Sequence, residues 1–143
     1  MRIWDVSNGL GTNCPLCDSQ QDSHEHLFFE CQFSKLVWSR VKVLAGLPNI
    51  ADSMEAVVSS ITPCAKRKTS RCIIAKLVVA ASAYFIWQER NSRLFKKTKR
   101  TENQIVECIT SSVRLKLMSC RFKRSRDGLA LMKHWQISES VIY

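Results

Sequence analysis

Three cysteines and two histidines fall within eighteen residues, CPLCDSQQDSHEHLFFEC, from Cys14 to Cys31. Cys14 and Cys17 are separated by two residues, so two thiolates from one tight turn can reach the same ion. Cys31 lies fourteen residues past Cys17, and a histidine between them completes a Cys3His set, one of the closed tetrahedral combinations of structural zinc. Either histidine can serve. His26 gives spacings of eight and four residues, His24 of six and six. The five-residue step from His26 to Cys31 favours His26 if Glu25 to Cys31 forms a helical turn or tight loop, with Leu27, Phe28 and Phe29 walling the site. His24 then stays outside, as a polar residue or a donor to a ligand. One zinc held by four protein ligands has no position for water, so its expected role is structural.

The elements that must carry this cluster are helical. The cluster segment itself is poor in helix formers and rich in turn formers, among them Asn8, Gly9, Gly11, Asn13, Pro15 and Asp18. From Phe33 to Leu47, apolar Phe33, Val37, Val41 and Leu44 recur at steps of four, four and three, which predicts a short amphipathic helix ending at Gly46 and Pro48. Asp52 and Glu55 imitate a capping box before a weaker helix, MEAVVSSI, and residues 63 to 70 read as a basic loop. Arg71 to Lys97 contains neither Gly nor Pro and keeps a three-and-four rhythm through Ile73, Ile74, Leu77, Val78, Ala81, Phe85 and Ile86. A further long helix starts at Thr101, capped with Gln104, and carries Val106, Ile109, Val113, Leu117 and Cys120 until Asp127 and Gly128. A short link near 98 to 101 makes these two helices an antiparallel hairpin. The fold expected is mostly α, a zinc-tethered N-terminal loop followed by a small helical bundle with a long antiparallel helix hairpin. Residues 1–50 form the zinc-binding segment with its short helix, 51–128 the helical region, and 129–143 a short helix or loose tail.

With 143 residues, 45% of them apolar, the chain can build one ordinary core. Seven cysteines is an odd number, and no basic, apolar and small-residue series opens the chain, so the expected setting is intracellular, nuclear or cytoplasmic, and not secreted. The most apolar run, Cys72 to Trp87, includes Lys76 and is shorter than the ~20 residues of a membrane span, so it reads as a buried helix.

Residues 1–55 carry four Lys or Arg against seven Asp or Glu, and residues 56–143 carry eighteen against five, for a net charge of +10. RNA or DNA is the expected partner of the second half, met through phosphate contacts by Arg90, Arg93, Lys96, Lys97, Lys99 and Arg100 on one helix and its link, and by Arg114, Lys116, Arg121, Lys123 and Arg124 on the next. The bland counterpart is a charged helical surface that is merely solvated. Trp87 at the edge of an apolar face reads as core, Asp18 and Asp22 as solvating residues beside the metal, and Glu89 with Arg93 as a modest i,i+4 pair. Cys64, Cys72, Cys108 and Cys120 read as core or neutral surface positions. No Gly-rich phosphate loop or placed carboxylate pair appears, so neither an enzyme nor a small-molecule substrate is expected.

CPLC, then HEHLFFEC, then FSKLVW with Trp38, and finally AYFIWQERNSRLFKK with Trp87, Glu89, Arg90, Asn91, Arg93 and Phe95, resemble the zinc-binding region that follows the reverse transcriptase in plant LINE-type, non-LTR retrotransposons. The resemblance implies zinc on Cys14, Cys17, His26 and Cys31, and a reverse transcriptase chain as a partner. In that family a Trp- and Leu-rich helical segment and a polymerase with paired aspartates precede the region. Met1 stands only thirteen residues before Cys14, and no Tyr-x-Asp-Asp-like motif occurs, so the chain resembles a detached C-terminal fragment.

Overall fold

The computed structural model describes residues 13–44, 56, 57, 59, 62–64, 70–119, 129, 130 and 133–135. These residues are mostly helical, and among them no strand is formed; Asn13 and Gln21 make one isolated antiparallel bridge. Three helices carry the fold: α1 from Gln32 to Leu44, α2 from Ser70 to Asn91 and α3 from Glu102 to Met118. A π-helical turn, His26–Glu30, leads into α1, and a second one, Ser92–Lys96, extends α2. The aspartates expected as a cap and a stop, Asp52 and Asp127, lie outside the described residues.

Each helix packs against the other two. The stripe expected on α1 is buried at Phe33, Val37 and Val41, with Trp38 beside it. On α2, Ile74, Val78 and Ile86 enter the core while Ile73, Leu77, Ala81 and Phe85 pack at its edge. Ile105, Ile109, Val113 and Leu117 line the inner face of α3, at strict steps of four. Ile105 therefore takes the place expected for Val106, which is half-buried. Trp135, from the C-terminal segment, completes the core.

Thr101 caps α3 as its sequence predicts. Its hydroxyl accepts the Gln104 N–H at 3.2 Å, and the Gln104 side chain accepts the Thr101 N–H at 2.8 Å. At the other end, the helix closes at Ser119, earlier than the expected stop near Asp127, because the Ser119 N–H and hydroxyl both turn back to the Lys116 carbonyl. Arg100 bonds Gln88 and Glu89 where α2 meets the link, while a groove at the other end is shared by Leu77 and Ala81 of α2 with Val113 and Ser119 of α3. These pairings are compatible with an antiparallel hairpin.

By length and composition, Arg71–Lys96 could cross a membrane, with a mean hydropathy of 1.4 over its most apolar window. Its charged residues are more informative than its length, since Glu89 and Arg90 are both buried at its C-terminal end.

Candidate metal centre and its clamp

The chelating turn is built by backbone bonds. The Cys14 carbonyl accepts the Asp18 N–H at 2.7 Å, and the Cys14 N–H donates to the Gln20 carbonyl at 2.8 Å. To close this loop Asp18 adopts the left-handed conformation, φ 55°, which aspartate tolerates better than most residues. Ser23 then opens a helical turn, its hydroxyl accepting the His26 N–H at 3.1 Å and its carbonyl the Leu27 N–H at 2.8 Å. The next turn is wound wider than an α-helix: the Cys31 N–H bonds the His26 carbonyl, five residues back, at 2.6 Å. That π-type closure brings His26 and Cys31 to one side. The Ser34 hydroxyl donates to the Leu27 carbonyl and fastens the turn to α1.

As a result the ligand atoms of Cys14, Cys17, His26 and Cys31 all lie within 4.8 Å of one another. The Cys14 and Cys31 sulfurs are 3.9 Å apart and the Cys17 sulfur is 3.2 Å from His26 Nε2. With Zn–S near 2.3 Å and Zn–N near 2.0 to 2.1 Å, a tetrahedral ion separates two thiolates by about 3.8 Å and a thiolate from an imidazole nitrogen by about 3.5 Å. The donor set and its spacing therefore fit one zinc ion. Cys14 and Cys31 are fully buried, His26 nearly so, and Cys17 is half-buried. Leu27 is buried against the site and Phe28 packs at its edge.

His24 is exposed and turned elsewhere, its ring stacked with that of Trp87 at 6.5 Å between centroids.

Two of the four ligands, Cys14 and Cys17, are shifted toward the deprotonated form that binds a cation, and two, Cys31 and His26, away from it. The hydrogen bond between the Cys14 and Cys31 sulfurs is the main reason Cys14 is lowered from 9.0 to about 5, burial acting against it. The same contact pushes Cys31 up, and burial pushes it further. At Cys17 burial pushes the thiol up, but hydrogen bonds from Ser19 and His26 outweigh it and the net shift is downward. Burial disfavours the His26 imidazolium, yet its contacts with Cys17 and Cys14 raise it overall. A cation entering here displaces protons shared between neighbouring ligands and supplies the positive charge that the thiolates otherwise take from hydrogen bonds.

The segment expected to track phosphates is largely engaged on this site instead. The Arg90 side chain is 1% exposed, and its Nε donates to both carboxylate oxygens of Asp22, at 3.2 and 2.9 Å, with NH2 adding a further bond to the same group. Its NH1 donates to the Asn91 side chain at 3.1 Å, and its guanidinium lies over the Trp87 ring. Arg93 Nε donates to Glu89 at 3.0 Å, while its NH1 reaches the carbonyls of Pro15 and Leu16, both at 3.2 Å. Glu89 is fully buried and also accepts from the Arg100 backbone N–H at 2.8 Å and from Arg100 Nε at 3.1 Å. Arg100 NH1 reaches the half-buried Cys108 sulfur at 3.4 Å.

Four sequence expectations change accordingly. Arg90 and Arg93 face inward and are not part of an open phosphate-tracking surface, and Arg100 has most of its donors committed. Asp22 is a buried ion-pair partner instead of a solvating residue. Glu89 with Arg93 is a buried pair, beyond the modest exposed pair expected. Cys72, read as a core or neutral surface position, is buried and is in addition disulfide-bonded. Lys96, Lys97 and Lys99 are exposed on the link, and Arg114 and Lys116 on α3. Arg121, Lys123 and Arg124 lie outside the described residues. The buried role of Arg90 and Arg93 had one signal in the sequence: both sit within two turns of Trp87, just past the most apolar run of the chain.

A family described as zinc-binding in reverse transcriptase matches residues 2–38. All four clustered residues lie inside the match. It ends at Trp38, so the Trp87 to Phe95 segment that clamps the cluster falls beyond it. No curated protein and no solved structure matches the chain. The clustered donors fit the zinc that the matched family's description names.

Proposed function

We propose that this chain is a non-catalytic, structural zinc module derived from a plant LINE-type, non-LTR retrotransposon protein. In this reading Cys14, Cys17, His26 and Cys31 hold one zinc and fill its tetrahedron, so the ion organises the chain and activates no water. The observation that carries the reading is the convergence of four donor atoms within 4.8 Å in a segment with little else to fold around. Zinc binding would contribute an apparent ~10 to 16 kcal/mol at neutral pH, on the scale known for small structural sites.

The remaining basic surface suits an assisting role in RNA or DNA binding, beside a reverse transcriptase chain and inside the cell. Lys96, Lys97 and Lys99 project from the link and Arg114 and Lys116 from α3, so phosphates would meet a smaller patch than the sequence suggests, with little base selectivity. The rival reading is a structural or protein-interaction remnant, favoured by the withdrawal of Arg90 and Arg93 into the clamp.

Elemental analysis of the purified chain tests the first reading, with Cys31→Ser and His26→Ala alongside and circular dichroism before and after chelation. One zinc per chain, lost in both variants, is expected. A folded wild-type chain without zinc refutes it. Salt-dependent titration with RNA and DNA separates the two roles, because a remnant binds RNA, DNA and heparin with equal weakness.

A further inference from the structure

Pro15 and Leu16 are the two residues between the paired cysteines of the chelating turn. Both of their carbonyls are held by one guanidinium nitrogen, Arg93 NH1, at 3.2 Å each. The same side chain lies over the Phe33 ring at 4.8 Å, bonds Glu89 through Nε, and donates from NH2 to the Arg100 carbonyl at 3.0 Å. Glu89 in turn fixes the Arg100 backbone N–H. Arg93 thus touches the chelating turn on one side and, on the other, the end of the link that carries Lys97 and Lys99.

We propose that Arg93 is a positioning residue for the metal, and that it couples the chelating turn to the basic link. The inference rests on the zinc reading above and goes beyond it. Orientation of the Pro15 and Leu16 peptides sets where the Cys14 and Cys17 sulfurs point, so a donor that fixes both carbonyls holds the turn in its metal-binding form. Coupling between sites is reciprocal. If Arg93 favours metal binding, metal binding must favour the arrangement in which Arg93 holds Arg100, and chelation must loosen the link.

A lysine cannot replace this geometry, because a single ammonium on a flexible stem cannot span two carbonyls, Glu89 and Arg100 together. The role is also separable from general support of the hairpin. Val113 is buried in α3 and takes no part in the network, so Val113→Ala weakens the same hairpin without touching the turn.

Cobalt(II) titration of the full chain, followed by its visible absorption, reads the metal site directly. Arg93→Ala and Arg93→Lys are expected to weaken cobalt binding by about 10- to 100-fold, the range typical of groups that orient metal ligands. Val113→Ala should weaken it clearly less. Amide hydrogen exchange supplies the second readout: the Arg100 N–H should exchange faster in the wild type once metal is chelated, and fast in both Arg93 variants with cobalt present. Arg93 variants that bind cobalt like the wild type, or no worse than Val113→Ala, overturn the coupling while leaving the zinc reading intact. A folded wild-type chain that binds no cobalt overturns both.

Discussion

Replacing Glu89 by alanine should be among the most damaging single substitutions in this chain. The carboxylate is fully buried and accepts three bonds, from Arg93 Nε at 3.0 Å, the Arg100 N–H at 2.8 Å and Arg100 Nε at 3.1 Å. Its removal leaves the Arg93 guanidinium, whose side chain is 10% exposed, without its anion, and the Arg100 backbone donor without its acceptor. Breaking a buried pair from one side costs about 3 to 5 kcal/mol, because the surviving charge stays desolvated. Arg100 is more open, with 31% of its side chain exposed, and can recover part of its loss from water. The lower end of the range, about 3 kcal/mol, is therefore expected, a fall in Tm of roughly 10 °C for a chain of this size. Glu89→Gln keeps the shape and one acceptor oxygen and should cost less. Thermal unfolding of the zinc-loaded chain, with the exposed Glu107→Ala as reference, measures the difference. If Glu89→Ala shifts Tm no more than Glu107→Ala, or if the effect vanishes in high salt as an exposed pair's would, the buried clamp is wrong.

His24→Ala should retain one zinc per chain, since the His24 ring lies against Trp87, whereas His26→Ala loses it; elemental analysis decides between them. In the metal-free chain the folded Cys14 value, about 5, lies below its ordinary 9.0. A lowered value means that its contribution to stability is complete above about pH 9 and is lost as pH falls through 5. Ultraviolet thiolate absorbance should therefore persist in the chelated wild type near pH 6 and weaken sharply in Cys14→Ser; a thiolate signal that rises only near pH 9 refutes this. If the link meets duplex DNA, changing Lys96, Lys97 and Lys99 together to glutamine should reduce the slope of log affinity against log salt by about 2 to 3, near 0.9 for each phosphate no longer neutralised. A slope unchanged by these substitutions removes the link from the interface.

The helices were legible because each signal was local. Thr101 and Gln104 cap α3 by a four-residue rule, and Phe33, Val37 and Val41 share a face at helical spacing. The metal cluster was legible for the same reason, with a chelating pair separated by two residues and a histidine whose five-residue distance to Cys31 suited a helical turn or tight loop, which the structure forms as a wider π turn. Charge was read less well. Arg90, Arg93 and Arg100 look in sequence like the lysines beside them, and what separates the first two is a partner far along the chain: Asp22 for Arg90, Pro15 and Leu16 for Arg93. Neither partner announces itself, since one is an aspartate in a polar loop and the other is bare backbone. The substitution of Ile105 for Val106 on the inner face of α3 is a smaller error of the same kind, one residue of helical phase that neighbouring helices decide.

The long reach of Arg93 also bears on the order in which the chain can assemble. The carbonyls of Pro15 and Leu16 leave the ribosome more than seventy residues before the guanidinium that holds them. At 5 to 20 residues per second that is a wait of roughly 4 to 16 seconds, during which the cysteine turn has only its own backbone bonds and whatever ion it has captured. Metal supplied during synthesis would meet a turn that is shaped but unfastened. The latch closes after all four ligands have emerged, so a chain cut before residue 93 would keep every ligand and lose the part that holds them still.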